Sequence, residues 1–554
     1  MSTTAAASRA DLPPRRRTPL WSRLSVLVAA LICLPIAAVL LAAATPAGGV
    51  WSHIAVTTLP EMLGNTLLLC LLVGAIAASA GAVSAWLVTA CEFRGRAALE
   101  WALLLPLAMP AYVCGYVVTW LFEVPGPVQS AIRDTTGLMY GEYWFPEIRS
   151  VGGAALVLGS VLYPYVYLLC RSAFLQQSTC LIECSRTLGH SLSSSFLRVA
   201  LPLARPAIAG GTALALMEVL ADFGTVQHFG IKTFTTGIYD TWFAMGDRGA
   251  ASQLAACLMG VVALLLLLEH ASRGGRRFHP TTTRHPPFRP VRLHGWKAAA
   301  AFLACAAPLS FGFLLPAGTL AYLALTVGDP LSPHRFLPFA TNSLMLASIT
   351  AVLAVLLAAL LAWGARLAPS ALTRGANRVA MLGYAVPGSV IAVGTLVPFG
   401  LFDNALDSWL RATFGVSTGL LLSGTMVALV FAYLVRFLAV ALSAVDSGLA
   451  RLKPSLAGAA RTLGASPGEA VRRIELPLAR GALLSAAVLV FVDTMKELPA
   501  TLIVRPFDLD TLAVRVHNLA SDERLAEAST AALMIVAVGL LPIIVLIRMM
   551  KRGQ

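Results

Sequence analysis

Seven long stretches of the chain carry no charged residue: Val26–Leu41, Leu67–Val88, Ala154–Leu169, Leu254–Leu268, Leu344–Trp363, Leu420–Val435 and Ala531–Ile547. A helix needs about 20 mostly apolar residues to cross a bilayer. No water reaches the hydrocarbon core, so a spanning segment must satisfy its own backbone groups, as a helix or within a closed barrel. Barrel strands alternate apolar and polar residues, whereas these runs are continuous. The chain therefore reads as an all-α polytopic membrane protein. Its composition agrees: 12% of the 554 residues are charged, about half the roughly 25% of a soluble domain.

Extending the runs to their polar flanks predicts about twelve transmembrane helices, near 20–44, 62–90, 98–122, 151–175, 204–226, 252–271, 297–325, 342–366, 376–402, 417–443, 478–503 and 526–549. Pro and Gly interrupt the third, fifth, ninth and eleventh, which is tolerated where neighbouring helices or a cavity take up the freed backbone groups. The first run, after "PPRRRTPLWSR", resembles a secretory signal. Its length and the spans behind it point instead to an uncleaved first helix. With both termini in the cytoplasm, 31 of the 41 Lys and Arg lie on inner segments and 9 on outer loops, with Lys496 inside a span. Such an asymmetry sets orientation. The net charge of +14 is thus a topology signal spread over many segments, and no nucleic-acid partner is expected.

"SRGGRRFHPTTTRHPPFRPVRLHGWK" (Ser272–Lys297) is basic, rich in Pro, and lacks an apolar run. It reads as a cytoplasmic linker. The chain then divides into an N-terminal tail (1–19), a first half (20–271), the linker (272–296), a second half (297–549) and a C-terminal tail (550–554). The halves repeat. "LPEMLGNTLLL" (Leu59–Leu69) parallels "LPFATNSLMLA" (Leu337–Ala347), and Pro110 in "LAMPAYV" answers Pro387 in "YAVPGSV". Six spans per half is an even number, so the two six-helix repeats are parallel, with any translocation path between them.

The most informative repeat is polar. "RTLGHSLSSSFLRVALPLARP" (Arg186–Pro206) returns as "RTLGASPGEAVRRIELPLARG" (Arg461–Gly481), both between the fourth and fifth span of a half and on the inner side. Each copy has a Gly (Gly189, Gly464), an aliphatic residue (Val199, Ile474) and Leu-Pro (Leu201-Pro202, Leu476-Pro477). Ahead of the Gly stand Glu183, Cys184 and Ser185 in one copy and Gly458, Ala459 and Ala460 in the other. The pattern predicts a helix, a turn at Gly, a short helix, and Pro opening the next span. Small residues before the Gly would bare a helix face to which another protein can dock.

This spacing resembles the cytoplasmic signature of permease subunits of bacterial ATP-binding cassette importers: Glu-Ala-Ala, three residues, Gly, nine residues, Ile, one residue, Leu-Pro. The first copy keeps Glu183 and replaces both alanines. The second keeps Ala459 and Ala460 and has Gly458 for the Glu. The resemblance implies the type I importer permease fold, in the inner membrane, with these loops docking into two copies of a cytoplasmic ATPase subunit. None of the five lysines follows a Gly, so the chain has no P-loop. ATP and Mg are therefore expected on the partner, and neither cofactor nor catalysis in this chain.

After each Leu-Pro an apolar stretch leads to acids. At the same offset Glu218 answers Asp493 and Asp222 answers Glu497, with Lys496 beside them. A charge at mid-bilayer costs about 2.5–3.5 kcal/mol on insertion scales, so these five residues are candidates for the translocation path or its outer mouth. About 18 residues of helix at 1.5 Å each would carry Asp222 toward the outer end. Two other roles stand beside substrate contact: Lys496 neutralising a neighbour, and carboxylates capping broken helices. No residue is assigned as a metal ligand.

"DFGTVQHFG", "FTTGIY" and "KELPATL…RPFDLDTLA" look like the two-half iron(III) importer permeases, and the fused layout matches throughout the chain. That resemblance implies iron(III) as substrate and a periplasmic iron(III)-binding protein as partner. Permeases for thiamine, polyamines, sulfate or phosphonates share the docking loop and remain alternatives. Twelve-helix ion-coupled carriers lack the paired loop, and their basic loop after the second span has no match in "CEFRGR" (Cys91–Arg96). The nine cysteines form no Cys-x-x-Cys and read as buried free thiols.

Overall fold

The computed structural model describes residues 19–44, 49–176, 185, 187–273, 290–329 and 333–552. Glu183, Cys184, Cys180, most of the linker, most of the N-terminal tail and residues 553–554 lie outside them. In the first half the principal helices are α1 (Pro19–Ala44), α2 (Leu59–Ala90), α3 (Ala111–Phe122), α4 (Val151–Gln176), α5 (Arg205–Ala221), α6 (Gly224–His228), α7 (Phe234–Phe243) and α8 (Arg248–Arg273). In the second they are α9 (Trp296–Leu309), α10 (Leu315–Thr326), α11 (Pro333–Leu367), α12 (Gly388–Phe414), α13 (Met426–Ala450), α14 (Pro454–Thr462), α15 (Leu476–Met495), α16 (Pro499–Val504), α17 (Leu512–Ser521) and α18 (Leu525–Arg552).

Ten of the described helical stretches are long and apolar enough to cross a membrane, and two bent pairs raise the number to twelve. The breaks have local causes. Pro110 and Pro387 both adopt extended backbone (ψ 136° and 144°) and open α3 and α12. The stretch Leu192–Leu203 meets α5 at 72°. Pro206 lacks an N–H and its ring clashes with the carbonyl four residues back. The second copy has Gly481 there, and its helix continues from Pro467 to Met495 as one span.

Three expected spans are displaced; the eleventh is Pro467–Met495, not 478–503, because the helix breaks at 496–498. The ninth is Gly388–Phe414, not 376–402, because the chain before Pro387 forms a shorter helix and a 3-10 turn. The tenth is Met426–Ala450, not 417–443. The apolar residues around Leu420 belong to a loop, which Asp403 ties down by accepting from the Leu422 and Ser423 amides at 3.1 and 2.8 Å. Arg436, counted above among inner-side charges, therefore lies inside a span.

The repeat recurs in the hydrogen bonds. Asn65 donates to the Lys232 carbonyl and Asn342 to the Asp510 carbonyl, each at 3.1 Å. The buried cores, however, are mixed. One joins α2, α3 and α4 to α9, α10 and α18 of the other half. The second joins α11, α12, α13 and α15 to α1 and α8 of the first half. Each half thus lends its outer helices to the other. A short parallel pairing of Cys91–Glu92 with Val291–Arg292 puts the loop after α2 and the end of the linker on one face.

Candidate functional site

The two polar loops fold alike. Gly189 has φ 87° and Gly464 φ 91°, a left-handed conformation that costs a side-chain-bearing residue about 1–2 kcal/mol. Around them His190 donates to the Ser185 carbonyl at 3.1 Å and Ala465 to the Ala460 carbonyl at 3.0 Å. Ser191 and Ser466 then cap one-turn helices at Leu192–Ser195 and Pro467–Ala470. Each is followed by one turn of π-helix, Phe196–Ala200 and Val471–Glu475. Leu201-Pro202 and Leu476-Pro477 open the helical stretches beyond. Gly458 and Ala459 are exposed, as the docking reading requires, but Ala460 is buried. Ser185, its counterpart, is also buried and shares a 2.9 Å hydrogen bond with Ser195. These two positions hold the loop together rather than face outward.

The matched acids meet in a cavity of about 110 Å³ between the halves. Glu218 and Asp222 enter it from the first half, and Asp493, Lys496 and Glu497 from the second. Geometry separates them into two kinds. Asp222 ends α5 and caps α6, accepting from the Val226 amide at 3.0 Å and the Thr225 hydroxyl at 2.8 Å. Glu497 ends α15 and caps α16, accepting from the Ala500 and Thr501 amides, both at 3.0 Å. Caps of this kind satisfy amides that a helix start leaves unpaired. Distance along the helix had placed Asp222 and Glu497 toward an outer mouth; in the fold both serve first as caps beside the inter-half cavity. Glu218 and Asp493 remain as cavity-facing carboxylates. Asp493 pairs with Lys496 at 3.0 Å.

The cavity also holds a residue that sequence reasoning missed. Arg436 on α13 contacts Glu497 at 3.1 Å and Glu218 at 3.8 Å, so it bridges the halves. Tyr384 donates to Glu218 at 2.9 Å. Tyr112 and Tyr165 complete an oxygen-rich wall. Among the described residues, no group of three or more His, Cys, Asp or Glu is placed to hold a metal ion.

Two segments, residues 71–270 and 354–553, match the family model of the binding-protein-dependent transport system inner membrane component. The chain belongs to this family. The repeat geometry and the family match together make it a fused two-half permease of the type I ABC importer fold, a multi-pass inner-membrane protein. The Fe(3+)-transport system permease protein FbpB 2 of Haemophilus influenzae is 28% identical over 96% of this chain and 98% of its own length. The ferric transport system permease protein FbpB of Actinobacillus pleuropneumoniae is 23% identical, over 83% of this chain and 67% of its own. The molybdenum transport system permease protein ModB of Escherichia coli is 27% identical over 34% of this chain and 82% of its own.

Further residues of the permease became visible only in three dimensions. Leu188 and Leu463, directly before the loop glycines, are 79% and 88% exposed. Behind the loops stand Trp86 on α2 and Trp363 on α11, at matching places in the repeat. Trp86 packs on Phe196 with ring centres 5.2 Å apart. Trp363 donates to Glu475 at 2.7 Å. The signal was present, since both Trp lie at the offset of the Pro110–Pro387 pair, but a Trp in an apolar run reads as core.

Proposed function

We propose that this permease carries iron(III) from a periplasmic binding protein into the cytoplasm, driven by two ATPase subunits that grip the loops at Gly189 and Gly464. Both termini are then cytoplasmic, and ATP and Mg are bound by the partner. The observation that carries the coupling is the pair of loops that share a left-handed glycine, the turn closed across it and a serine cap after it. Iron(III) is a hard cation that prefers oxygen ligands. It is supported by the ferric permeases that align over most of the chain, and by a cavity where four carboxylates meet only two cations. The same charge balance disfavours an oxyanion cargo.

In this reading a loaded binding protein docks across both halves on the outside. Closure of the ATPase dimer pulls the two loops together, the halves rock, and the cavity changes the side to which it opens. The test is uptake of radioactive iron(III) by proteoliposomes holding the permease, its ATPase and its binding protein. Absence of ATP-dependent uptake by the assembled wild type would reject iron as cargo. Gly189→Trp with Gly464→Trp should abolish uptake and stimulated ATPase while membrane insertion stays intact, because nothing lies within 4 Å of a Cβ at either site. Normal uptake in that double variant would sink the coupling role.

A further inference from the structure

We propose that Arg436 is a built-in stand-in for the transported cation, and that cargo enters the inter-half cavity by displacing its guanidinium from Glu218. This rests on the reading of the chain as a cation importer and assigns the residue that sets which cations pass.

Arg436 is 9% exposed in the middle of a spanning helix. A charge there is tolerated only when paired. Its two pairings are unequal. Glu497 is fixed by the Ala500 and Thr501 amides and by the Thr501 hydroxyl at 2.7 Å, and it lies 3.1 Å from Arg436. Glu218 is 3.8 Å away, and its side chain is 29% exposed against 2% for Glu497. One carboxylate anchors the guanidinium and the other shares it loosely with the cavity.

The seat is built for this pair. A Cβ at Gly388 would stand 2.5 Å from an Arg436 nitrogen and 2.8 Å from a Glu497 oxygen, so a larger residue there would push the pair aside. The seat is also one-sided. Val161 occupies the place in the first half that answers Arg436, and it too lines the cavity. Glu218 of the first half thus receives its cation from the second. In the same cavity the Tyr112 hydroxyl, on a residue 5% exposed, has no hydrogen-bond partner among the described residues. A buried hydroxyl without a partner calls for an explanation, and a hard cation admitted to this cavity supplies one.

Charge then gives selectivity. Attraction to a carboxylate scales with the charge of the cation. A monovalent ion gains no more at Glu218 than the guanidinium it must displace, whereas a trivalent ion gains about three times as much. Arg436 thereby closes the cavity to sodium and potassium and yields to a highly charged cargo.

Terbium(III), a hard trivalent cation whose emission is excited through nearby tyrosines, serves as probe on the purified full-length permease in detergent. Arg436→Gln should bind terbium at least about tenfold more tightly than wild type, and Arg436→Gln with Glu218→Gln should lose that gain. Equal or weaker binding by the single variant overturns the proposal, as does a gain that survives loss of Glu218. If Arg436→Gln does not purify as a single species, Arg436→Lys decides. Its compact ammonium reaches one carboxylate, so a gain of about threefold is expected, and no gain overturns the idea. The titration uses no iron, ATP or binding protein. A wild type that fails to import iron while the variant gains terbium affinity would reject the cargo and keep the role of Arg436.

Discussion

Tyr116 on α3 shares a 2.7 Å hydrogen bond with His517 on α17, and its ring lies 4.6 Å from that of His228. Thr119, one turn on, shares a 2.7 Å hydrogen bond with His228. Neither histidine is in a spanning segment, yet both are enclosed where the halves meet. Burial pushes the His517 imidazole down to about 4 and that of His228 to about 3. The unfolded chain takes up these protons near pH 6.5, so the stabilisation is whole above 6.5 and is lost as pH falls toward 4. For His517 the slope is about 1.4 kcal/mol per pH unit across that window. His517→Asn, which keeps a nitrogen or oxygen near Tyr116, should therefore flatten the fall of thermal stability between pH 6.5 and 4.5 relative to wild type. Identical pH profiles would show that His517 is already charged in the folded protein. At this scale the sequence made the four matched acids legible, but not their roles. Asp222 and Glu497 look like Glu218 and Asp493 until the helix breaks show which amides they cap. Arg436 was illegible because it follows an apolar run that proved to be partly loop.

Helices respond to the same repeat in different ways. Trp86 and Trp363 hold the π turns of the two polar loops, one by ring packing and one through a hydrogen bond to Glu475. Arg366 lies 3.7 Å from the same carboxylate. The two contacts should fail differently. Trp363→Phe removes one hydrogen bond to a charged group, a loss of about 1.5–3 kcal/mol, and leaves Glu475 with Arg366. Trp86→Ala opens a hole against Phe174 and Phe196, for which about 3–5 kcal/mol is typical. Thermal unfolding should thus rank Trp86→Ala below Trp363→Phe, and both should weaken stimulated ATPase more than membrane insertion. Equal losses would mean that the loops are not held in these two ways. The breaks at Pro110 and Pro387 were readable because proline acts locally. The bend at Ala204 has the same local cause in Pro206, and Gly481 marks the copy without it. The shift of the tenth span was hidden because Asp403 reaches from another helix to fold the Leu420 region into a loop.

Over the whole molecule the parallel repeat could be read from offsets alone, since duplicated turns keep their spacing. The exchange of outer helices could not. An apolar face states that it is covered, not by which neighbour. Here α1 and α8 are covered by the second half, and α9, α10 and α18 by the first. The halves are therefore not independent folding units, although each carries a complete set of spans. Helices insert into a bilayer one by one and only then associate. A chain cut within 272–296 should consequently insert both fragments normally. Expressed alone, each fragment leaves a mixed core without its partner helices and should aggregate or be digested once extracted into detergent. Expressed together, the fragments should co-purify as one species and restore ATPase coupling. A single fragment that elutes as a monodisperse, protease-resistant species would show that the interleaved cores are dispensable.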